Sequence, residues 1–218
     1  MTRLVRRSFL SLFAGLVTLL FSVGSFAQTE TQWQEEEHYD VIKPAVRVGS
    51  ADEVVVTEFF WYGCGHCYTF EPMLETWKKT LPEGVTIQGS PAMWNAPMQL
   101  HAKAFYVAEV LDVMDTVHGA LFNAMHVQRQ RLGSEAAVRD VFVANGVKAE
   151  DFDKAFDSFG VNSLVRQADA RARSAKISGT PSLMVNGKYL ISARKAGSQA
   201  NMLKVAEFLI QKELAEAS

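Results

Sequence analysis

The sequence predicts an α/β fold in which a block of helices interrupts a sheet domain. Three observations support this prediction. A β-branched and aromatic run, Glu53 to Trp61, is followed directly by a helical pattern. A long stretch with helical periodicity occupies the middle of the chain, and an Asn-Gly pair separates two short apolar segments near its end. The order strand, helix, strand, helical block, hairpin and helix is typical of a sheet domain with a helical insertion.

The N-terminus has the three-part pattern of a secretory signal. Three arginines precede an apolar run from Phe9 to Val23, and small residues follow it. This pattern predicts a signal peptide over residues 1–27, with cleavage after Ala27. The apolar run has 15 residues, which is short of the roughly 20 needed to span a membrane. Arg6-Arg7 also fits a twin-arginine signal, so the export route, Sec or twin-arginine, is left open.

Composition and charge exclude several classes of protein. The 218 residues are 48% apolar and 21% charged, which is ordinary for a globular protein. The net charge of -2 would become -5 after loss of the three signal-peptide arginines. Without a basic stripe, the chain gives no reason to expect nucleic acid as a partner. Export implies an oxidising compartment in which disulfides persist, and we expect a soluble monomer.

The first half of the chain predicts two strands and a helix. Residues 28–50 are polar and acidic, so we expect an extended lead-in. Glu53 to Trp61 is apolar on both faces, which predicts a strand in the middle of a sheet. Cys67 to Lys79 has apolar residues at helical spacing and ends at the turn Leu-Pro-Glu-Gly, so it predicts a helix. The segment Val-Thr-Ile-Gln-Gly-Ser after the turn predicts a second strand.

The second half predicts helices followed by a hairpin. Four or five helices fit the periodic stretch from Gln99 to Ile177, with Ser134 as an expected N-cap. Two short strands flank Asn186-Gly187, a strong hairpin signal, and an amphipathic helix runs from Ser198 to Leu214. We expect the breaks between the middle helices at Gly119, Gly133, Gly146 and Gly160.

The segment Phe-Phe-Trp-Tyr-Gly-Cys-Gly-His-Cys holds the only two cysteines, Cys64 and Cys67. As a structural staple this spacing is poor, because so short a loop removes little unfolded-state entropy. A zinc site needs two further ligands, which the sequence does not offer at suitable spacing. Haem attachment needs histidine after the second cysteine, where Tyr68 stands. Thiol–disulfide exchange fits best, and no metal or organic cofactor is expected.

The position of the pair favours a reactive thiolate at Cys64. The motif falls where a strand ends and a helix begins, so the Cys64 sulfur would face unpaired N–H groups at the helix N-terminus. A protonated His66 would add a positive neighbour. Both effects should lower the pKa of Cys64 below its free value of about 8.5. Cys67, one turn into the helix and more buried, would be the resolving thiol.

These residues resemble those of a known family. Glu-Phe-Phe-Trp-Tyr-Gly-Cys-Gly-His-Cys with the later Gly-Thr-Pro-Ser-Leu-Met-Val-Asn-Gly resembles the thioredoxin superfamily. The helical block, with "VRDVFVANGV" and "SFGVNSLVRQAD", is similar to the DsbA family of periplasmic thiol:disulfide interchange proteins. The likeness implies a thioredoxin fold with an inserted helical domain. It implies a periplasmic enzyme that donates disulfides to exported polypeptides with free cysteines and is reoxidised by a DsbB-like membrane protein.

The resemblance also assigns domains and site residues. Residues 28–98 and 178–218 would form the thioredoxin-like domain, and residues 99–177 the inserted helical domain. By position, Cys64 would be the nucleophile, His66 its stabilising partner and Cys67 the resolving thiol. Thr180-Pro181 matches the loop whose proline is cis in the superfamily and lies against the disulfide. The backbone before that proline would be free to pair with an extended substrate peptide.

Glu58 interrupts an apolar strand six residues before Cys64. Burying an unpaired charge is costly, so a buried Glu58 should have a raised pKa and could exchange a proton with Cys67. In the resemblance, an acid at this place sits beneath the active site. Glu71, one helical turn after Cys67, could modulate the same electrostatics, although a surface position is the stronger expectation.

Gly65 departs from the family pattern, because DsbA proteins usually have proline between the first cysteine and the histidine. Cys-Gly-His-Cys is the sequence seen in eukaryotic protein disulfide isomerases, so the oxidising strength is left open. One alternative is a reductase or isomerase of the same fold in which Cys64 is kept reduced. Another is a non-enzymatic peptide-binding chaperone.

Other residues near the motif carry weaker expectations. The proline-punctuated loop from Met93 to Met98 includes Trp94 and could contact peptides, because methionine adapts to varied partners. His101, His118 and His126 have no partner at ligand spacing in the sequence, so we expect them to be incidental to the site.

Overall fold

The computed structural model describes residues 32–49 and 53–217. The predicted signal peptide, residues 1–27, lies outside these described residues and stays a prediction. Within the described ranges, no helix is both long and apolar enough to cross a membrane.

The described residues contain a five-stranded mixed sheet. Its strands are β1 Asp40–Val41, β2 Val54–Phe60, β3 Val85–Pro91, β4 Ser182–Val185 and β5 Tyr189–Ser192, in the spatial order β1-β5-β4-β2-β3. β2 lies inside the sheet, parallel to β3 on one side and antiparallel to β4 on the other. β4 pairs with β5, and β5 with β1, both antiparallel.

β2 confirms the prediction of a central strand. Each of its seven residues is buried, which explains why apolar residues occupy both faces of the strand instead of alternating with polar ones. β-branched and aromatic side chains suit such a strand because they pack well on a pleated surface. The strand ends at Phe60, four residues before Cys64, so its register determines where the motif lies.

The helices of the described residues are α1 Gly65–Lys78, α2 Ala96–Val110, α3 Met114–His126, α4 Glu135–Ala144, α5 Ala149–Phe156, α6 Phe159–Ser174, α7 Ala193–Ala196 and α8 Gln199–Ala217. Five of them lie between β3 and β4 in chain order, which agrees with the predicted four or five.

The glycine breaks and the cap were only partly predicted correctly. Ser134 caps α4 as predicted, its side chain accepting from the Ala137 N–H. Gly160 is the second residue of α6, directly after the break that separates α5 from α6. The break expected at Gly119 is wrong, because this glycine lies within α3. One glycine costs a helix only about 1 kcal/mol, which tertiary packing can outweigh.

The lead-in is more structured than predicted, because it contains the edge strand β1. A two-residue strand is too short to show a periodic pattern in sequence. The lead-in also contacts the hairpin turn: the Ile42 N–H donates to the Lys188 carbonyl at 2.7 Å, and the Val46 N–H to the Gly187 carbonyl at 2.9 Å.

The hairpin of β4 and β5 confirms the Asn-Gly prediction. Asn186 and Gly187 both have positive φ, 48° and 69°, as the tight turn that suits paired strands requires. The buried Glu213 of α8 accepts from Asn186 Nδ2 at 2.5 Å and from Lys188 Nζ at 2.7 Å. The turn is thereby tied to the last helix.

Two apolar clusters meet at α1. One combines the inserted helices with Tyr62 and Cys67, and the other combines the sheet and α8 with Phe70 and Leu74. The motif helix therefore packs against both the sheet and the inserted helices. The predicted boundaries between the two domains, at residues 99 and 177, stay a prediction.

Replacing Gly187 with alanine should destabilise the protein more than the same change at Gly84. Both glycines have positive φ, but a Cβ at Gly187 would lie 1.8 Å from the Val46 carbonyl oxygen, whereas one at Gly84 would meet nothing within 4 Å. Urea unfolding should show a loss of about 1–2 kcal/mol for Gly84→Ala from φ alone. The loss for Gly187→Ala should be larger by about 1–3 kcal/mol because of overpacking. Equal losses would contradict a close contact between the lead-in and the turn.

Candidate active site

Cys64 is the N-cap of α1, which confirms that the motif lies at a strand end and a helix start. Its backbone is extended, with φ -86° and ψ 113°, and its sulfur accepts a hydrogen bond from the Cys67 N–H at 3.3 Å. The first N–H groups of a helix have no intrahelical acceptor, so a sulfur in the capping position satisfies one of them. An anion there is favoured by the helix dipole as well.

The two thiols have opposite environments. Both are free; Cys64 is partly exposed, whereas Cys67 is fully buried. The hydrogen bond between the Cys67 thiol and the Cys64 sulfur is the largest of the effects that lower the pKa of Cys64 to about 5; burial opposes it, and the contact with Thr180 lowers the pKa as well. Backbone N–H groups of Cys67 and His66 lower it further. Burial raises the pKa of Cys67 far above its ordinary value, and the neighbouring Cys64 sulfur adds to the effect.

The Thr180–Pro181 peptide bond is cis, as predicted. β4 begins directly after Pro181, and its first residue, Ser182, pairs with Phe59 of β2. This pairing brings the proline loop beside the motif. The Cys64 thiol donates to the Thr180 carbonyl at 3.4 Å, so the backbone before the proline lies against the more exposed of the two sulfurs.

His66 is exposed at the first turn of α1. Its backbone N–H helps to lower the pKa of Cys64, and its carbonyl accepts from Gln199 Nε2 at 2.6 Å. Gly65, beside it, occupies the first helical position, and a Cβ there would meet nothing within 4 Å. The surface around residue 65 is therefore open.

Glu58 is buried in β2, as predicted, with only 4% of its surface exposed. Burial, and next the charge of Glu71, raises the pKa of Glu58 to about 8. Its Oε1 atom is buried without a hydrogen-bond partner. Since Glu58 pairs with Leu183 in β4, two positions beyond Pro181, the carboxyl group lies on the strand pair that supports the motif.

Glu71 is not at the surface, so that expectation was wrong. Its side chain is 14% exposed, and Glu71 Oε1 lies 3.2 Å from His118 Nε2, within hydrogen-bonding distance. Burial alone would raise the pKa of Glu71, but the hydrogen bond and charge of His118, together with Lys78, hold it below its ordinary value. The arrangement places two carboxyl groups of opposite protonation tendency behind the motif.

The three histidines expected to be incidental all contact the residues that lead into the motif. Trp61 Nε1 donates to His101 Nδ1 at 2.9 Å. The Tyr62 hydroxyl lies 2.8 Å from His118 Nδ1, and the Tyr62 carbonyl 2.7 Å from His126 Nε2. Each histidine comes from an inserted helix, so these helices hold the active-site segment by side-chain hydrogen bonds. Sequence spacing gave no signal for them.

The loop from Met93 to Met98 is only partly exposed. Met93 and Met98 are buried, whereas Trp94 is 54% exposed. The two methionines therefore belong to the core, and the surface that the loop offers is formed by residues 94–97, with Trp94 as its large apolar side chain.

A cavity of about 710 Å³ opens beside the carboxyl pair. Side chains from α1, β3 and the inserted helices line it, including Glu58, Glu71, His118 and Arg171. Across the part of the chain that the structure describes, no cluster of three His, Cys, Asp or Glu side chains could hold a metal ion.

Disulfide exchange needs one thiol that ionises readily within reach of a partner and a second, shielded thiol that closes the bond. Cys64 and Cys67 meet these two needs on a thioredoxin-like sheet. The fold and the site together define the class of thiol:disulfide oxidoreductases.

Comparisons with known proteins then give the family. The DSBA-like thioredoxin domain matches residues 81–204, a range that begins after the motif and is therefore independent of it. Thiol:disulfide interchange protein DsbA of Pseudomonas syringae pv. tomato is 36% identical over 194 residues, which cover 89% of this chain and 91% of that protein. The chain belongs to the DsbA family.

Solved structures agree with this assignment. The crystal structure of Pseudomonas aeruginosa DsbA matches with a TM-score of 0.81 at 32% identity, covering 85% of this chain and 96% of that one. A cysteine-to-serine variant of Proteus mirabilis DsbA, in complex with a non-covalently bound peptide, matches with a TM-score of 0.71 at 30% identity. That match covers 84% of this chain and 100% of the other.

The reduced protein should contain one thiolate at neutral pH. Following the thiolate absorbance near 240 nm, we expect a single step with its midpoint near pH 5, because of the hydrogen bonds to Cys64. Cys64→Ser should remove the step, leaving no ionisation of Cys67 below the ordinary range for cysteine. A midpoint near the free value of about 8.5 would contradict the stabilisation of this sulfur by its surroundings.

Proposed function

We propose that this thiol:disulfide oxidoreductase donates its Cys64–Cys67 disulfide to newly exported polypeptides in the periplasm. The opposite acidities of the two thiols carry this proposal. A stable Cys64 thiolate favours the reduced enzyme, so the disulfide form is a ready acceptor of electrons. The same low pKa makes Cys64 a good leaving group, and a mixed disulfide through it passes quickly to the substrate.

The reaction proceeds in two exchanges. A substrate thiolate attacks the Cys64 sulfur; the bond to Cys67 breaks, and Cys67 leaves as a thiolate that takes up a proton. A second substrate thiolate then attacks the substrate sulfur of the mixed disulfide. Cys64 leaves as a thiolate, and two electrons have passed from the substrate dithiol to the enzyme. Cys64 is thus the attacked sulfur, Cys67 the resolving thiol.

Thr180 and Pro181 bind the substrate chain in this proposal. The Thr180 carbonyl faces the Cys64 sulfur at 3.4 Å, so an extended peptide that reaches Cys64 passes the backbone before the cis proline. The peptide complex of Proteus mirabilis DsbA supports polypeptides as the substrate class.

Glu58 and His66 assist the exchange. The leaving Cys67 thiolate is buried and strongly basic, so it requires a proton at once. Glu58, buried and with a pKa of about 8, still carries its proton at neutral pH and supplies it. His66 is exposed beside Cys64 and, when protonated, offers a positive charge to the thiolate.

The wider setting is proposed on the same basis. The signal peptide directs export and is cleaved after Ala27, and a DsbB-like membrane protein reoxidises the cysteine pair. The mature chain acts as a monomer, with residues 99–177 forming a helical domain inserted between the two parts of the thioredoxin-like domain, residues 28–98 and 178–218.

Equilibrium with glutathione tests the proposal on the mature chain from Gln28. We expect the disulfide to be reduced even in rather oxidising mixtures of glutathione and its disulfide, and Cys64→Ser to abolish oxidation of a dithiol peptide. If the disulfide is reduced only in a strongly reducing buffer, the protein is not an oxidase. The alternative suggested by Gly65, a reductase or isomerase of the same fold, would then hold. If the protein binds peptides but exchanges no disulfide with glutathione or with the dithiol peptide, it is a non-enzymatic peptide-binding chaperone.

A further inference from the structure

A hydrogen-bonded chain of three side chains lies behind the motif. The Tyr62 hydroxyl lies 2.8 Å from His118 Nδ1, and His118 Nε2 lies 3.2 Å from Glu71 Oε1. His118 belongs to α3 of the helical insertion, Glu71 to the motif helix α1, and Tyr62 to the segment that joins β2 to that helix. The histidine therefore connects the insertion to both sides of the motif.

The chemistry of the partners determines which nitrogen of His118 carries a proton. An ionised Glu71 can only accept hydrogen bonds, so Nε2 donates to it. In the neutral ring Nδ1 is then an acceptor, and the Tyr62 hydroxyl donates to it. The chain thus has one direction, from the tyrosine through the histidine to the carboxylate.

The ring of His118 is held in place by aromatic neighbours. Its centroid lies 5.2–5.4 Å from the rings of Phe60, Tyr62 and Phe122, and its side chain is 17% exposed. Phe105 closes a further side at 6.0 Å. A fixed donor in surroundings of low polarity stabilises an ionised carboxylate more strongly than a mobile donor in water.

His118 distinguishes between two buried carboxyl groups. Glu58 and Glu71 each have one buried oxygen without a hydrogen-bond partner, and the charge of Glu71 raises the pKa of Glu58. Two negative charges side by side in one buried site repel each other strongly, so the two carboxyl groups share one proton. Of the two carboxyl groups, it is Glu71 that lies within hydrogen-bonding distance of His118 Nε2, at 3.2 Å.

We propose that His118 is a positioning residue for disulfide exchange: by donating to Glu71, it keeps the charge of the carboxyl pair on Glu71 and the shared proton on Glu58. The inference rests on the proposed function, in which Glu58 gives that proton to the departing Cys67 thiolate. The adjacent cavity is lined by the same two carboxyl groups. Water that enters this cavity returns the proton to Glu58.

Several other charged or titratable groups lie near Glu58 and Glu71. Lys78 of α1 lowers the pKa of both carboxyl groups but is ion-paired with Glu75 of the same helix. Cys64 raises the pKa of Glu58 slightly when it is ionised. From α2, α3 and α6, the titratable groups that line the same cavity are Tyr106, Glu109, Asp115 and Arg171.

The test is a titration of the buried carboxylic acid in the oxidised protein, followed by its infrared carbonyl band. The wild type should lose one protonated carboxyl near pH 8. In His118→Phe, which keeps a ring among the aromatic neighbours, Glu71 loses the hydrogen bond from His118. We expect the midpoint at which this protonated carboxyl group ionises to rise by about one pH unit or more. A second protonated carboxyl group should appear at lower pH. His118→Gln, whose amide N–H can reach Glu71, should restore the wild-type titration.

His126→Phe is the matched control, since it replaces another α3 histidine, whose ring stacks on Tyr68 at 4.7 Å and whose Nε2 hydrogen-bonds to the Tyr62 carbonyl rather than to a carboxyl group. It should leave the infrared titration unchanged. An unaltered titration in His118→Phe, or an equal shift in His126→Phe, would overturn the proposal. If His118→Phe does not fold, His118→Asn replaces it: its shorter amide reaches the Tyr62 side but not Glu71, so it should shift the titration while His118→Gln should not.

The glutathione equilibrium of the same variants separates this inference from the proposed function. If the wild type fails to exchange with glutathione, the function fails whatever the carboxyl groups do. If the wild type exchanges but His118→Phe has the wild-type infrared titration and the wild-type pH dependence of the equilibrium, only the role of His118 fails.

Discussion

The hydrogen bonds around the Cys64 sulfur, at the first turn of α1, are the contacts on which the rest of the site depends. For the sulfur to cap the helix, β2 must end just before it and α1 must begin at Gly65. For the same sulfur to be attacked, the cis-proline loop must come beside it, which the pairing of β2 with β4 achieves. The capped sulfur is then stable as a thiolate, and a stable thiolate is what makes the disulfide an oxidant. Fold, register and reactivity follow from one geometric requirement.

Behind that sulfur, the protein retains polar groups that its fold does not need. Glu58 occupies a fully buried strand, and it and Glu71 each leave a carboxyl oxygen without a partner, an arrangement that costs stability. Apolar residues would pack more favourably at both positions. Local conflict of this kind is expected where function rather than stability determines the residue. The inserted helices contribute to the same region through their histidines, so the insertion supports the chemistry as well as flanking it.

Much of this could be predicted from sequence, and the remainder has a common physical cause. β2, the hairpin and the helix after the motif produce local patterns: unbroken burial, an Asn-Gly turn and helical spacing. The cysteine pair stands out because its spacing and its place between strand and helix are both local. The contacts of His101, His118 and His126 join residues 40 to 64 positions apart, and periodicity shows which face of a helix is buried but not what that face meets. Glu71 was misplaced for the same reason. The helix break expected at Gly119 was wrong because tertiary packing outweighs the low helix propensity of glycine.

The most direct test of the account compares the urea unfolding free energies of the reduced and oxidised proteins between pH 5 and 8. The pKa of Cys64 is about 5 when folded and about 8.5 when unfolded, so its thiolate stabilises only the reduced form, and this stabilisation is lost as the pH falls towards 5. Cys67 stays protonated in the folded state over this range, and in the unfolded state it begins to ionise only near pH 8, so it contributes little to the slope. The account predicts that the reduced protein gains stability over the oxidised protein as the pH rises from 5 to 8. A difference that does not change with pH would show that the hydrogen bonds around the Cys64 sulfur do not stabilise its thiolate.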